Sequence, residues 1–145
     1  MNHRYSKYVV DIALKHNCGL IQMEDLTGIS KDNTFLKNWS YYDLQQKIKY
    51  KAEEHNIEVR FINPKYTSQR CNKCGYIHKD NRPDQETFEC VNCGHKSLAD
   101  FNASRNIAME NIEEIILEQV EVQKQCEEKV KIIESIKSKE KQKAI

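Results

Sequence analysis

Two short cysteine motifs decide how this chain folds: Cys71-Asn72-Lys73-Cys74-Gly75 and Cys90-Val91-Asn92-Cys93-Gly94. Fifteen residues separate the two pairs, which is typical of four-cysteine zinc sites. Two thiolates on one tight turn can bind the same tetrahedral ion, and the glycine after each pair lets the backbone N–H groups turn toward the sulfurs. The motifs therefore predict a structural zinc site, and the alternative is a pair of disulfides.

The remaining composition excludes several classes of protein. The 145 residues carry 23 Lys and Arg against 22 Asp and Glu, a net charge of +1. No apolar stretch approaches the roughly 18 residues of a membrane span, and Met1–Tyr5 lacks the apolar core of a signal peptide. We therefore expect a cytoplasmic protein with no membrane partner. Cys18 and Cys126 have no partner at ligand spacing, so we interpret them as ordinary thiols.

Upstream of the cysteines, the apolar spacing predicts a helix, a buried strand, a loop, a second helix and a second strand. Ser40 is the predicted N-cap of the second helix, with Asp43 completing a capping pattern. A strand, a helix and a strand of these lengths predict a right-handed βαβ unit. The predicted bounds are Tyr5–His16, Leu20–Met23, Thr27–Asn38, Ser40–Glu54 and Ile57–Ile62.

Downstream, the zinc segment is predicted at Pro64–Leu98, followed by a helix at Ala99–Asn111 and an amphipathic helix at Glu113–Lys139. From Glu110 onward nine Glu face seven Lys, which leaves residues 1–109 with 16 basic and 13 acidic side chains. This mild basicity does not by itself indicate nucleic-acid binding. The last helix is either a solvated helix or a coiled-coil or partner helix.

Two carboxylates stand at places where chemistry is often found. Glu24 ends the first predicted strand, and Asp100 opens the helix after the zinc segment. Functional groups of open α/β sheets collect at the carboxyl ends of strands, and Mg²⁺ bridges carboxylates that would otherwise repel. Spacing alone equally allows Glu24 to be an ordinary surface carboxylate and Asp100 to be a partner of the helix dipole.

Longer motifs resemble a known family. Tyr66–Gly75 (YTSQRCNKCG), Phe88–Gly94 (FECVNCG) and Ala99–Ile107 (ADFNASRNI) resemble the C-terminal motifs of the OrfB or TnpB transposon-encoded proteins. These proteins are RNA-guided DNA endonucleases, and the miniature type V CRISPR effectors are their relatives. The resemblance covers about residues 2–110. It includes upstream segments at His3–Ser6, Ile21–Leu26, Trp39 and Tyr50–Glu53.

The resemblance implies an α/β chain with a partial RNase H-like (RuvC-type) fold, an inserted four-cysteine zinc ribbon and a C-terminal helix. Three acidic residues hold Mg²⁺ or Mn²⁺ in this family; Glu24 matches the second of them and Asp100 the third. Arg82 matches an arginine that approaches the scissile phosphate, although an exposed structural arginine is equally possible. The implied division is 1–63 and 98–112 for the RuvC-like part, 64–97 for the target-binding ribbon and 113–145 for a helical tail.

One departure from the family concerns the first acidic residue. It lies in a Gly-Ile-Asp-Leu-Gly-like stretch that this sequence lacks, and Asp11 on the first helix is not its replacement. Losing one member of a cooperating catalytic set removes nearly the whole effect. The chain therefore resembles the C-terminal part of a nuclease that is inactive alone. The implied partners are DNA, a guide RNA, and either a second copy, the missing N-terminal half or a full-length relative.

Two other functions compete with the nuclease. The first is a non-catalytic module that grips nucleic acid or a protein partner through its ribbon. The second is a regulatory chain that binds a full-length relative through the Tyr41–Glu54 helix or the tail. For the nucleic-acid module, the candidate phosphate contacts are Lys65, Arg70, Lys73, Lys79 and Arg82. The candidate residues for stacking on bases are Tyr66, Tyr76 and Phe88, and each of these is also suited to packing the core of the small zinc ribbon.

Overall fold

Helices and short strands alternate along the chain in the computed structural model, which describes residues 1–26 and 35–143, with side-chain burial for 1–26 and 40–138. The chain divides into two compact units, Met1–Thr67 with Ile107–Met109, and Ser68–Asn106 with Glu110–Ile145. The elements are α1 (Asn2–Lys15), β1 (Leu20–Glu24), α2 (Phe35–Glu53), β2 (Glu58–Ile62), a 3₁₀ turn (Lys79–Asn81), β3 (Thr87–Glu89), β4 (Lys96–Leu98), α3 (Ala99–Ile107) and α4 (Ile112–Lys143).

The first unit contains the predicted strand–helix–strand arrangement. β1 and β2 pair in parallel, with Leu20 opposite Glu58 and Glu24 opposite Ile62. Parallel neighbours need a long crossover between them, and here the connection contains α2. Every residue of β1 is half-buried rather than fully buried. The core of this unit consists of Val10, Ala13, Ile48, Ala52 and Ile57.

The start of α2 corrects two expectations. Residues 27–34 of the predicted loop lie outside the described residues, but residues 35–38 are helical. Ser40 is therefore inside α2 and does not cap it. The apolar spacing of Phe35, Trp39 and Tyr42 already continues the helical repeat upstream of Ser40. Asp43 does not complete a cap; it accepts hydrogen bonds from Lys47 and from Asn2 Nδ2.

The second unit is built on the cysteine motifs. β3 and β4 form an antiparallel pair, with Phe88 opposite Ser97. Phe88 and Ala99 are fully buried, together with two of the cysteines, and Tyr76 packs against this cluster. A core this small is typical of domains that need a metal to fold. Within the described residues, no helix is long and apolar enough to cross a membrane.

The two C-terminal helices are separate elements. α3 ends at Ile107, four residues earlier than predicted, and Asn111 adopts a positive φ of 56° before α4 begins. Asparagine tolerates this left-handed conformation better than most residues. The predicted amphipathic helix is confirmed as α4, which buries Ile112 and Ile116 near its start.

Candidate functional site

The two cysteine motifs form similar turns. Gly75 and Gly94 have positive φ angles of 80° and 70°, which only glycine adopts without cost. Their backbone N–H groups donate to the carbonyls of Cys71 and Cys90, at 2.9 and 2.8 Å. This curvature was predicted from the glycines, and it turns further backbone N–H groups toward the Cys71 and Cys90 sulfurs.

The turns bring four thiols together. The sulfurs of Cys71, Cys74, Cys90 and Cys93 all lie within 4.8 Å of one another. The Cys71–Cys93 and Cys74–Cys90 sulfur separations are 3.8 and 3.6 Å, whereas a disulfide bond measures about 2.05 Å. Zinc–sulfur bonds of about 2.3 Å in a tetrahedron separate the sulfurs by about 3.8 Å. All four residues are free cysteines, so the cluster fits a tetrahedral cation and not two disulfides.

The thiols differ in acidity because they differ in surroundings. Burial raises the pKa of Cys90 to about 12 and also raises the pKa of Cys71, against hydrogen bonds from nearby backbone N–H groups. Burial acts in the same direction on Cys74, but hydrogen bonds from the Tyr76 backbone and from the Cys93 and Asn92 side chains outweigh it and lower the pKa to about 7. A cation must therefore displace protons from the buried pair in order to bind.

Buried asparagines hold the turns in place. Asn81 Nδ2 donates to the carbonyls of Gln69 and Tyr76, and its Oδ1 accepts from the backbone of Val91. Asn102 Oδ1 accepts from the backbone of Asn72, inside the first cysteine motif. Asn81 thereby joins the segments that flank the first cysteine motif to the second motif, whereas Asn102 also donates to the Arg70 carbonyl and so binds the backbone on both sides of Cys71. Buried backbone groups around the turns are satisfied in this way.

Arg70 lies inside this network and not on its surface. Only 5% of the residue is exposed, and its guanidinium donates to Asn106 Oδ1 and Gln119 Oε1, both at 2.7 Å. Burial lowers its pKa, while the nearby Cys71 and Cys74 raise it. The burial speaks against the predicted phosphate contact at this position, because a phosphate would have to displace two amide oxygens to reach the guanidinium.

α4 closes the other side of the cysteine turns. Gln123 uses both ends of its amide on one residue, accepting from Ile77 N at 3.0 Å and donating to Ile77 O at 2.9 Å. Gln119 lies so close to Gly75 that a Cβ there would approach its Nε2 to 2.1 Å. The first half of α4 thus packs against the cysteine turns, and we call residues 68–106 together with this half of α4 the cysteine module. The amphipathic pattern of α4 did not reveal this role.

Two of the predicted catalytic residues lie side by side in the second unit. Asp100 is in the first turn of α3, and its side chain is 97% exposed. The Arg82 Nη2 atom lies 3.7 Å from Asp100 Oδ1, and the same guanidinium donates to the carbonyls of Asp84 and Gln85. These carbonyl contacts fix the arginine beside an accessible carboxylate, so the cation and the carboxylate share one surface.

Glu24 ends β1 in the first unit, as predicted. Its Oε1 accepts a hydrogen bond of 2.5 Å from the buried hydroxyl of Thr67. The backbone nearby is also tied down, since Gln45 donates to Glu24 O and Asp25 N donates to Ile62 O. Glu24 belongs to the first unit and Asp100 to the second, so a metal site shared by the two stays a prediction.

The remaining cationic candidates are accessible. Lys65, Lys73 and Lys79 are exposed, and Lys65 Nζ lies 5.2 Å from the centre of the Tyr66 ring. Of the aromatic candidates, Phe88 is fully buried in the core, which leaves it unavailable for stacking on a base. The lysines remain candidate phosphate contacts.

The sequence interpretation missed Thr67, Asn102 and Asn106. Each is almost completely buried and bonded to a functional or structural group. Asparagine is a poor helix former, yet Asn102 and Asn106 stand four residues apart on one face of α3. That repeat of an unfavourable residue was the available signal for a buried polar role.

Comparison with known proteins gives one matching family model. The model, described as "Cas12f1-like, TNB domain", matches residues 41–107. This range holds both cysteine motifs, Arg82 and Asp100. It therefore includes the part of the chain in which the four thiols meet.

Individual relatives extend the similarity. The chain is 58% identical over 120 residues to the CRISPR-associated endodeoxyribonuclease Cas12f1 of Sulfoacidibacillus thermotolerans, covering 82% of this chain and 28% of that protein. It is 36% identical over 113 residues to a TnpB-like protein of Methanocaldococcus jannaschii, covering 72% of this chain and 40% of the relative. The chain thus spans less than half the length of each relative.

A solved structure agrees with the sequence relatives. The cryo-EM structure of a Cas12f1–sgRNA–target DNA complex matches with a TM-score of 0.60 and 31% identity, covering 74% of this chain and 32% of the solved chain. The fold, the range of the family model and the sequence identities thus all indicate similarity to the Cas12f1 proteins. Residues 41–107 belong to the Cas12f1-like TNB family, and the chain as a whole is a relative of the Cas12f1 and TnpB-like proteins.

Proposed function

We propose that this chain is the C-terminal nuclease portion of an RNA-guided DNA endonuclease, with a RuvC-type, RNase H-like part and an inserted zinc ribbon. The observation that carries the proposal is the 58% identity to a CRISPR-associated endodeoxyribonuclease over 82% of the chain. The parallel β1–β2 pair with its α2 crossover is compatible with part of an RNase H-like sheet. DNA and a guide RNA are the proposed partners, as in the complex that the chain resembles.

Zinc is the proposed occupant of the cysteine cluster. The four thiols fit a tetrahedral ion in number, type and separation. Four protein ligands leave no open position for a substrate, so the ion is structural. Its role is to hold the ribbon in the shape that presents the exposed Lys73 and Lys79 to nucleic-acid phosphates.

Glu24 and Asp100 are the proposed magnesium ligands. Carboxylate oxygens are the ligands that Mg²⁺ prefers, and the exposed Asp100 has room for an ion with its waters. Thr67 holds one oxygen of Glu24 and thereby orients the carboxylate. When bound, Mg²⁺ or Mn²⁺ supplies the charge stabilisation that phosphodiester hydrolysis needs. Because the sequence lacks the family's first acidic motif, we propose that a second chain or a further segment supplies the third carboxylate.

Arg82 is the proposed phosphate contact of this site. Its guanidinium is held 3.7 Å from Asp100 by two backbone carbonyls, so it is positioned before a substrate arrives. A planar guanidinium can donate two parallel hydrogen bonds to a phosphate. Next to a carboxylate that binds a metal ion, it would orient the scissile phosphate and neutralise part of its charge.

A chimeric enzyme tests the proposal. The part of this chain that matches the S. thermotolerans Cas12f1, 82% of its length, replaces the corresponding segment of that protein, and guide-dependent cleavage of target DNA is measured. We expect cleavage by the chimera and a loss of roughly a thousandfold or more with Glu24→Gln or Asp100→Asn. Asp80→Asn, an exposed carboxylate in the ribbon, is the matched control and should leave the rate unchanged.

Two results would contradict the proposal. A chimera that folds and binds its guide but does not cleave would show that this segment is not a nuclease part. Full activity of Glu24→Gln and Asp100→Asn would remove the metal-ligand assignment. For the isolated chain we expect DNA binding without cleavage, so magnesium-dependent cleavage by a monomeric sample would show that the chain needs no further carboxylate.

The non-catalytic reading is supported by the exposed lysines around the ribbon. If they alone account for the function, affinity for single-stranded DNA will fall steeply between low and moderate salt, while the chimera will remain inactive. A chain that serves only a protein partner will show little DNA affinity at any salt concentration.

A further inference from the structure

α3 places its side chains against the usual pattern of an amphipathic helix. Its buried residues are Ala99, Asn102 and Asn106, so two asparagines fill the side that packs within the cysteine module. Phe101, the largest apolar side chain of the helix, is instead 55% exposed. In helices of globular proteins the apolar residues normally form the buried stripe. Packing of the module therefore does not account for an aromatic side chain at position 101.

A cation lies over the Phe101 ring. The guanidinium carbon of Arg105 is 5.1 Å from the centre of the ring, and residues four apart are neighbours on a helix surface. Attraction between a guanidinium and the face of an aromatic ring favours this arrangement. More than half of Phe101 is accessible despite the contact. The ring is thus held by Arg105 and still offers apolar surface to a further planar group.

The exposed ring stands next to the candidate metal ligand. Asp100 directly precedes Phe101, and Leu98, which is 69% exposed, precedes Asp100 by two residues. Single apolar residues at a surface need no explanation, but here two large ones bracket an exposed carboxylate. Arg82 lies 3.7 Å from that carboxylate. Apolar surface, a carboxylate and two guanidinium groups are therefore assembled on and beside α3.

We propose that Phe101 is the surface on which a base of single-stranded DNA stacks, next to the phosphate that Arg82 contacts. The inference rests on the proposed function, because it takes Arg82 and Asp100 as the phosphate and metal site. The base and the phosphate of a nucleotide are joined through one sugar, so a strand whose phosphate reaches Arg82 brings its nearest bases to the same surface. Every base has a π face, so stacking of this kind requires no particular sequence.

The size and charge of the surface favour a base over a protein partner. A stable protein interface buries about 800 Å² on each partner. Within β4 and α3, by contrast, the large exposed apolar side chains are Leu98 and Phe101 alone. Arg82 and Arg105 are cations that complement phosphates, and arginine also contributes to stacking in sites for single strands. A flat base beside a phosphate matches this combination of groups.

Photocrosslinking tests the contact directly. The zinc-loaded full chain is mixed with oligothymidylate that carries one 5-iodouracil, in the presence of Mg²⁺, and is irradiated and digested with trypsin. Cleavage after Lys96 and Arg105 releases Phe101 in a peptide, residues 97–105, that contains no other aromatic residue. We expect a crosslink on this peptide that is lost in Phe101→Leu, which keeps an apolar side chain without a ring. Crosslinks confined to other peptides would overturn the proposal.

Affinity for the same oligonucleotide is the second measurement. Phe101→Ala should weaken binding about tenfold, with an unchanged salt dependence because no charge is removed, whereas Phe101→Trp should bind as tightly as the unaltered chain. Tyr41→Ala is the matched control, since Tyr41 is an aromatic residue of α2 with 56% exposure, and it should leave the affinity unchanged. Zinc content and circular dichroism check that all variants fold alike.

Two results of the binding measurement would overturn the proposal. The first is an unaltered chain that does not bind single-stranded DNA. The second is an unchanged affinity in Phe101→Ala, which would leave the exposed ring to a protein partner. Failure of the proposed function is distinguishable from both, because it is seen as a folded chimera that does not cleave, whereas the stacking contact is measured on the isolated chain.

Discussion

Replacing Arg70 with methionine separates a structural role from a nucleic-acid contact. Methionine retains much of the volume and the apolar stem but removes the two 2.7 Å hydrogen bonds to Asn106 and Gln119. Hydrogen bonds from a charged donor contribute about 1.5–3 kcal/mol each, and the abandoned amide oxygens would remain in a buried setting. Relief from burying the charged guanidinium offsets part of this loss.

The net expectation is a loss of about 3 kcal/mol in the free energy of unfolding, which corresponds to more than a hundredfold in the folding equilibrium. Urea denaturation of the zinc-loaded chain, followed by circular dichroism, measures it. Lys73→Met is the matched control, because it removes the same charge from an exposed position two residues beyond Cys71. Its stability should change by less than about 0.5 kcal/mol.

The affinity of the same variants for single-stranded DNA is the second quantity to measure. If Arg70 is structural, Lys73→Met weakens binding to single-stranded DNA and flattens its salt dependence. The Arg70→Lys variant retains the charge but not the two-point geometry of the guanidinium. It should therefore be less stable, while its folded fraction keeps its affinity for DNA. An Arg70→Met protein that is as stable as the unaltered chain but has lost DNA affinity would refute the burial argument.

Three other perturbations test the cysteine module. Removing zinc with a chelator should unfold the ribbon; an unchanged circular dichroism spectrum in metal-free protein would contradict the structural role. Gly75→Ala should destabilise the module more than Gly94→Ala. Both substitutions place alanine at a positive φ, at a cost of about 1–2 kcal/mol, but of these two glycines only Gly75 has a neighbour, Gln119, within 4 Å of the added Cβ. Equal unfolding midpoints of the two variants in urea would contradict that contact. Phe88→Ala should cost about 3–5 kcal/mol, and a loss below 1 kcal/mol by the same assay would exclude Phe88 from the core.

The cysteine site was predictable because its determinants are local. Spacing within each motif and the following glycine fix a turn whatever surrounds it, and the positive φ angles of Gly75 and Gly94 match that expectation. The β1–α2–β2 succession was predictable for a similar reason, since a short apolar run indicated β1 and the alternation of apolar and polar residues indicated β2. Where two local signals competed, as at Ser40, the longer apolar repeat prevailed over the single capping pattern.

Burial was not predictable from residue type. Arg70 and Lys73 are both cationic and each directly precedes a cysteine of the first motif, yet the first is buried and the second exposed. The difference comes from Asn106 and Gln119, which lie 36 and 49 residues away in sequence and whose positions follow from the packing of α3 and α4. The same holds for Arg82, whose proximity to Asp100 depends on two carbonyls that no sequence pattern reports.

The charge of α4 shows how a summed property can hide an ordered one. Taken from Glu110 onward, nine glutamates and seven lysines suggest a nearly neutral, solvated tail. A continuous helix from Ile112 to Lys143 converts order along the sequence into position along a rod of about 48 Å. Most of the glutamates then lie in the first half of the rod and most of the lysines in the second half, a separation of charge that the net charge could not have indicated.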